Sequence, residues 1–480
     1  MSRRVSFASL IFGLALAGCS KQPGPHPNVI LISIDTLRQD HLGCYGYSRA
    51  TSPRIDAFAR DSVLYEQAFA PAPWTLPSHA ALFTGRHPLE LCIVDRDSSI
   101  PEDVPVLAEP FQVAGYQTQA FVDSTDGGFV GGRRGFSRGF DGYQHAPLPG
   151  ARFTYDMAAT VTAGLNWLEQ RDPHSPFFLF LHTKSVHSTG ESGRVPYYKP
   201  DPYQKRFLDG RPLQHWSGKN DQSGSLQLMK LNLQLAAGTL GAGPSFPSRE
   251  AVLELIALYD AGIYYADEQF GRLLDALEAM DLRRNTIIAV VSDHGEAFLE
   301  HRFLGHLDVF DAALRIPLIL HDPRSPRGLR IGTQAQLVDL FATLLERSGL
   351  EAPKGSGGRA LFDREGTLAS TRLDFSYFLP AEQSPYRAYA VRQGDWKLVW
   401  QKYWLESAYE TLLFNTLDDP DELRPVLGES ERRQRLLSRL HQWLDRADCS
   451  DSAKIELLSD ELKELEAQGY TSLPREGDGG

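Results

Sequence analysis

Asn28 to Ile34 reads "NVILISI", an almost unbroken apolar run that stops at Asp35. A strand with no polar face needs cover on both sides, which belongs at the centre of a mainly parallel sheet between helices. Four more segments fit strands: "YQTQAFV" (Tyr116–Val122), "PFFLFLH" (Pro176–His182), "TIIAVVS" (Thr286–Ser292) and "RIPLILH" (Arg315–His321). Between them lie amphipathic helical stretches, the longest from Glu250 to Met280 around "LYDAGIYYADEQFGRLLDALEAM". This alternation predicts an α/β fold, a doubly wound mainly parallel sheet flanked by helices.

Two regions break the rhythm. Gln204–Ser248 is rich in Gly, Ser, Asn and Gln with poor strand or helix signals, and reads as a surface insertion in preference to a lid over the site. From about Asp374, "YRAYAVRQGDWKLVWQK" alternates around a Gln-Gly-Asp turn and predicts a small antiparallel sheet. "SERRQRLLSRLHQWLDRA" and "AKIELLSDELKELEAQGY" then carry apolar residues at helical spacing, with charges on solvated faces. The expected organisation is an export signal (1–18), a tether (19–27), a catalytic α/β domain (28–365), a small β subdomain (366–430) and C-terminal helices (431–480).

The N-terminus, "MSRRVSFASLIFGLALAGCS", has two arginines, a short apolar run and small residues before Cys19, the pattern of an export signal. Its "LAGC" ending resembles a bacterial lipoprotein signal, which implies cleavage before Cys19, lipid on its sulfur and a protein anchored to the membrane outside the cytoplasm. Cys44, Cys92 and Cys449 remain, an odd number that spells no disulfide framework or metal motif. They are read as buried apolar residues, and a Cys92–Cys449 bridge has no support from sequence. A formal charge of −12 argues against nucleic acid bound through a basic surface.

In a doubly wound sheet, ligands bind beyond the C-terminal strand ends. Asp35 stands there after "NVILISI", and Asp293 and His294 after "TIIAVVS". His182 ends "PFFLFLH", with Lys184 and His187 close behind. In "APAPWTLPSHAALFTGRHP", Pro77 suits the first turn of a helix and Gly85 its end, which puts the Thr75 hydroxyl at the helix mouth. Two carboxylates, an imidazole and a hydroxyl make a metal shell; oxygen-only shells suit calcium or magnesium, and His294 shifts the preference to zinc or manganese. One divalent ion at least is expected. Coordination and the helix N-terminus would together activate Thr75 as a nucleophile.

The blocks "NVILISIDTLRQDHLGCYGY", "TLPSHAALFTGRHP", "PFFLFLHTKSVH", "YDAGIYYADEQFGRLLDALE", "SDHGEAFLEHRFLGH", "RIPLIL" and "LVDLFATLL" stand in an order that resembles the sulfatase family of the alkaline phosphatase superfamily, from about Pro27 to Glu422. Three departures matter. The family's cysteine, later converted to formylglycine, is Thr75; the arginine after its Pro-Ser is His79; the second of its paired aspartates is Thr36. The resemblance implies metal ligands Asp35, Asp293 and His294 around Thr75. It also implies His187 as an acid for the leaving group, and His306 on substrate or a second metal; His301 falls at another position where members often carry histidine. Lys184 either neutralises a transferring oxygen or snorkels to solvent, Arg86 ties down the nucleophile helix, and His79 either holds Thr75 or contacts the metal. A threonine cannot collapse to an aldehyde, and threonine is the nucleophile in phosphodiesterase, phosphonate-hydrolase and phosphoethanolamine-transferase branches. The expectation is therefore a metal-dependent hydrolase of anionic esters, phosphate or phosphonate before sulfate. A headgroup transferase acting on the envelope, or a non-catalytic envelope lipoprotein of the same fold, are the other readings.

Overall fold

The computed structural model describes residues 26–149, 155–188, 194–216, 224–236, 247–301, 303–362, 373–379, 386–403, 408–447, 449 and 453–455. The export signal, Cys19 and the second C-terminal helix expected from sequence lie outside them, except for residues 453–455, where Lys454 forms a β-bridge with Ser98. Among the described residues no helix is long and apolar enough to cross a membrane.

The five strand segments enter one eight-stranded sheet. Its order is Leu329–Ile331, Val63–Tyr65, Leu318–His321, Thr286–Val291, Asn28–Ile34, Phe177–Thr183, Gln117–Val122 and Gly142–His145. Asn28–Ile34 runs parallel to both neighbours, and Leu318–His321 is antiparallel to both of its own. The doubly wound, mainly parallel expectation holds.

The central strand is buried on both faces, as its sequence requires. Val29 and Leu31 join one core with Phe178, Phe180, Ile287 and Ala289. Ile30, Ile32 and Ile34 join the other with Leu179, Leu181, Ile288 and Val290. Each such side chain contributes about 1.5–3 kcal/mol by leaving water, so polar groups are excluded until the strands end. They then end together: Ser33 pairs in register with both His182 and Val291, which brings Asp35, Thr183 and Asp293 to one edge.

The long helix Arg249–Ala279 starts at Ser248, whose hydroxyl accepts from the Ala251 amide, and packs with Met157–Gln170 and Pro53–Ala59 on one side of the sheet. Thr75–Thr84 lies in the other core with Val338–Arg347. Strands Asp374–Phe378, Tyr386–Gln393, Trp396–Tyr403 and Glu410–Asn415 form the antiparallel C-terminal sheet in chain order, backed by helix Ser430–Leu444. Its central hairpin turns at Gly394–Asp395, with Gly394 at φ 59°.

Two expectations are corrected. Cys92 and Cys449 are not two separate apolar side chains: they form a disulfide spanning 357 residues, and among the described residues only Cys44 is free. The pairing is tertiary, made by returning the chain after Ser430–Leu444 to the loop after Thr75–Thr84, and no spacing rule reveals it. The 204–248 insertion also contains helices, Tyr203–Phe207 at its start and Gly224–Ala236 within it. The second carries Ser225 and Asn232, buried polar residues that bond other segments.

Candidate active site

Asp35 follows the central strand, and its amide is fixed by the Thr183 carbonyl at 2.9 Å. Thr36 adopts φ 61°, a left-handed conformation that a β-branched residue rarely takes. Neighbours hold it there: Tyr259 donates to its carbonyl at 2.6 Å, and its hydroxyl turns back to the Asp35 carbonyl at 2.7 Å. The position where the family has a second aspartate thus contributes its amide, which donates to Asp293 Oδ1 at 3.2 Å.

Asp293 and His294 follow the adjacent strand Thr286–Val291. Asp293 Oδ1 also accepts from the His294 amide, and His294 Nδ1–H is spent on the Gly295 carbonyl at 3.0 Å, so its Nε2 faces the carboxylates. That nitrogen lies 3.6 Å from Asp35 Oδ1 and 3.4 Å from Asp293 Oδ2. These three atoms have no hydrogen-bond partner, and all three residues are fully buried. Burying two carboxylates beside a bare imidazole nitrogen is costly without a compensating charge. Ligand atoms about 2.1 Å from a common centre stand roughly 3.4 Å apart at tetrahedral angles, so the donor set and its spacing fit a divalent cation. The charges say the same: burial, then repulsion by Asp35, pushes the Asp293 carboxyl up to about 7. Burial also opposes ionisation of Asp35, but the imidazoles of His182, His187 and His294 and the Lys184 ammonium outweigh it and hold Asp35 well below the usual carboxylate range.

Thr75 is the first residue of helix Thr75–Thr84, buried, and its hydroxyl donates to Asp35 Oδ2 at 3.3 Å. Gly85 ends that helix at φ 65°, where a Cβ would stand 2.8 Å from the Gly357 carbonyl. His79 Nδ1 bonds the Thr75 carbonyl and Nε2 the Ser33 hydroxyl, both at 2.9 Å, and Nδ1 also lies 3.5 Å from Asp293 Oδ2. It braces the turn at Thr75 against the central strand. Arg86 does not tie down the helix through its guanidinium, which is half-buried and without a polar partner among the described residues; only its amide bonds Thr84.

Lys184 does not reach solvent. It is 1% exposed, with Nζ 5.4 Å above the Tyr155 ring, and is a buried cation acting on Asp35. His187 donates Nδ1–H to the Ser188 carbonyl at 2.7 Å. His306 Nδ1 faces Glu296 Oε1 at 3.4 Å, and its ring centre is 4.5 Å from that of His294 and 5.3 Å from that of His187. Both imidazoles therefore lie beside the cation-fitting set. His301 stacks on Phe310 and meets the Asp421 carbonyl, tying the loop to the C-terminal region instead of the site.

Four residues at the site had no role assigned from sequence. His182 is fully buried with neither ring nitrogen bonded, and its Nε2 is 3.7 Å from Asp35 Oδ2. Ser33 holds His79; Glu296 faces His306; Asp123 accepts from Thr183 at 2.8 Å and from the Lys184 amide. For Ser33 and His182 the signal was present: each is the last inward position of an otherwise apolar strand. Glu296 and Asp123 carry no such mark.

The sulfatase family model matches residues 27–350, and a model described as N-sulphoglucosamine sulphohydrolase, C-terminal, matches 299–449. The chain is 24% identical to an N-acetylglucosamine-6-O-sulfatase of Bacteroides thetaiotaomicron, over 89% of this chain and 88% of that one. It is 23% identical to an arylsulfatase of Clostridium perfringens, over 85% and 92%. A phosphonate monoester hydrolase of Agrobacterium radiobacter shares the fold with a TM-score of 0.67 at 21% identity, covering 88% of this chain and 95% of that one. The chain belongs to the sulfatase family of the alkaline phosphatase superfamily and is an ester hydrolase.

Proposed function

We propose that this protein hydrolyses phosphate or phosphonate esters with Thr75 as nucleophile, at a divalent cation held by Asp35, Asp293 and His294. One observation carries the reading: the hydroxyl standing where the family has its formylglycine precursor is bonded to Asp35, inside the buried set that fits a cation. Two carboxylates with one imidazole favour zinc or manganese over calcium. Such a cation, when bound, would neutralise substrate oxyanions and make the Thr75 hydroxyl more acidic.

The chain's own groups do the rest. The bond from Thr75 Oγ1 to phosphorus forms as the bond from phosphorus to the leaving oxygen breaks. The hydroxyl proton departs along its hydrogen bond to Asp35 Oδ2, and the leaving oxygen takes a proton from the His187–His306 pair. The positive end of helix Thr75–Thr84 and the buried Lys184 charge favour the developing negative charge. Water then attacks phosphorus as the bond from phosphorus to Thr75 Oγ1 breaks; the water proton returns to the His187–His306 pair, and Thr75 takes its proton back from Asp35. A threonine sulfate has no aldehyde route for release, which places sulfate esters behind phosphorus esters. The phosphonate monoester hydrolase fold neighbour is consistent with that order.

The protein is proposed to work outside the cytoplasm, tethered by lipid on Cys19. The Cys92–Cys449 disulfide supports an oxidising compartment, and Cys19→Ser should release the protein from membranes of expressing cells. The test of function is turnover of 4-nitrophenyl phosphonate, phosphodiester and sulfate esters by the protein without residues 1–18. Phosphorus esters should be cleaved at least about tenfold faster than the sulfate, and Thr75→Ala should lose at least about 1,000-fold. A preference for sulfate, or an unimpaired alanine variant, would remove the proposal.

A further inference from the structure

The insertion helix Gly224–Ala236 makes two sets of contacts that bear on the two imidazoles beside the site. Asn232, 6% exposed, pairs with Leu304 as a strand partner does: Leu304 N–H donates to Asn232 Oδ1 at 2.9 Å, and Asn232 Nδ2 donates to the Leu304 carbonyl at 2.6 Å. Leu304 is two residues before His306, across Gly305 at φ 92°. Such a flexible link transmits orientation only if the backbone on its near side is pinned. At the other end, Ser225 donates to the Ser188 carbonyl at 2.9 Å, and the two hydroxyls are 2.8 Å apart. That carbonyl also receives His187 Nδ1–H. One helix therefore fixes the backbone next to His306 and the acceptor that sets the tautomer and ring direction of His187.

We propose that helix Gly224–Ala236 is a positioning clamp for the leaving-group side of the site, with Asn232 and Ser225 as positioning residues that aim His306 and His187. This gives one helix of the 204–248 insertion a role that the surface-insertion reading did not assign. The proposal rests on the hydrolase reading for its catalytic consequence, but not for its geometry. A buried side-chain amide paired twice with one backbone residue is costly to replace, because truncation strands both partners. Its loss frees the Leu304–His306 segment to move relative to the cation-fitting set.

The distinguishing property is sensitivity to the leaving group. An ester of a strongly acidic phenol departs without a proton, whereas an ester of phenol itself needs one. Asn232→Ala and Ser225→Ala should slow 4-nitrophenyl phosphonate by less than about threefold. They should slow the phenyl ester by about 10- to 100-fold, up to the lower end of the 10²–10⁴ that a positioned acid supplies. Asn232→Asp, which keeps the acceptor for Leu304 N–H, should recover part of the loss. Equal slowing of both esters, or none, would overturn the clamp and leave a purely structural helix.

Nitrogen-15 spectra of histidine-labelled full chain read the same geometry without turnover. Ser225→Ala should shift or exchange away the Nδ1–H signal of His187, and Asn232→Ala should move the His306 resonances. Unchanged signals in both variants would also overturn the proposal. If the wild-type chain cleaves no phosphorus ester, the Thr75 reading fails and these spectra still decide the clamp.

Discussion

Thr75 donates its hydroxyl to Oδ2 of Asp35 at 3.3 Å, across 40 residues of chain. The same oxygen faces His182 Nε2 at 3.7 Å, while the other oxygen of Asp35 faces His294. Asp35 therefore divides its two oxygens between the Thr75 hydroxyl and the cation-fitting set. Loss of this one carboxylate should harm both nucleophile and cation binding.

The cation set gives the first prediction. Protein purified without chelator should hold at least about 0.5 equivalents of zinc or manganese by elemental analysis, and His294→Ala or Asp293→Asn should weaken binding at least about tenfold. Calcium alone in the wild-type protein would contradict the nitrogen-containing shell.

His182 should trade stability for function. Two unbonded nitrogens in a fully buried ring cost about 1–3 kcal/mol each unless a ligand or water meets them. In chelated protein His182→Phe is expected to raise the melting temperature while cutting turnover more than tenfold. A variant that melts lower and turns over normally would assign His182 to packing.

In the chelated protein the buried histidines work against the fold in acid, while the Asp293 carboxyl, pushed up to about 7, works the other way. Burial is the leading cause that lowers His187, His294 and His301 from 6.5 to about 4. Between these values the unfolded chain binds protons at these groups that the folded chain refuses, so their contribution to stability falls as pH falls from about 6.5 to 4. Each group adds up to about 1.4 kcal/mol per pH unit. The denaturant midpoint of the parent relative to His301→Phe should fall across this range; a difference that does not change with pH would mean this imidazole titrates normally.

How much of this was legible follows from where each residue sits. Asp35, Asp293 and His294 could be read because unbroken apolar strands announce their own ends, and a parallel sheet brings those ends to one edge. Thr75 was legible from the Pro77 and Gly85 boundaries of its helix. Asn232 and Ser225 were not, because an amide or hydroxyl that will pair with a distant backbone looks like any loop residue. The Cys92–Cys449 bridge was hidden for the same reason: its geometry exists only after 357 residues have returned to the starting loop.

That bridge should matter for endurance more than for chemistry. Closing a loop of this length restricts the unfolded chain, and its removal by Cys92→Ser with Cys449→Ser should cost about 2–4 kcal/mol. Turnover at 25 °C should be retained. Loss of activity without loss of stability would link the bridge to the site instead.

The most direct measurement is peptide mapping by mass spectrometry after acid quench of the metal-loaded protein during turnover of an aryl phosphonate. A phosphonyl adduct on the peptide containing Thr75, absent from Thr75→Ala, is the predicted result. Steady turnover with no adduct at any quench time, and equal turnover by Thr75→Ala, would contradict a threonine nucleophile at this centre.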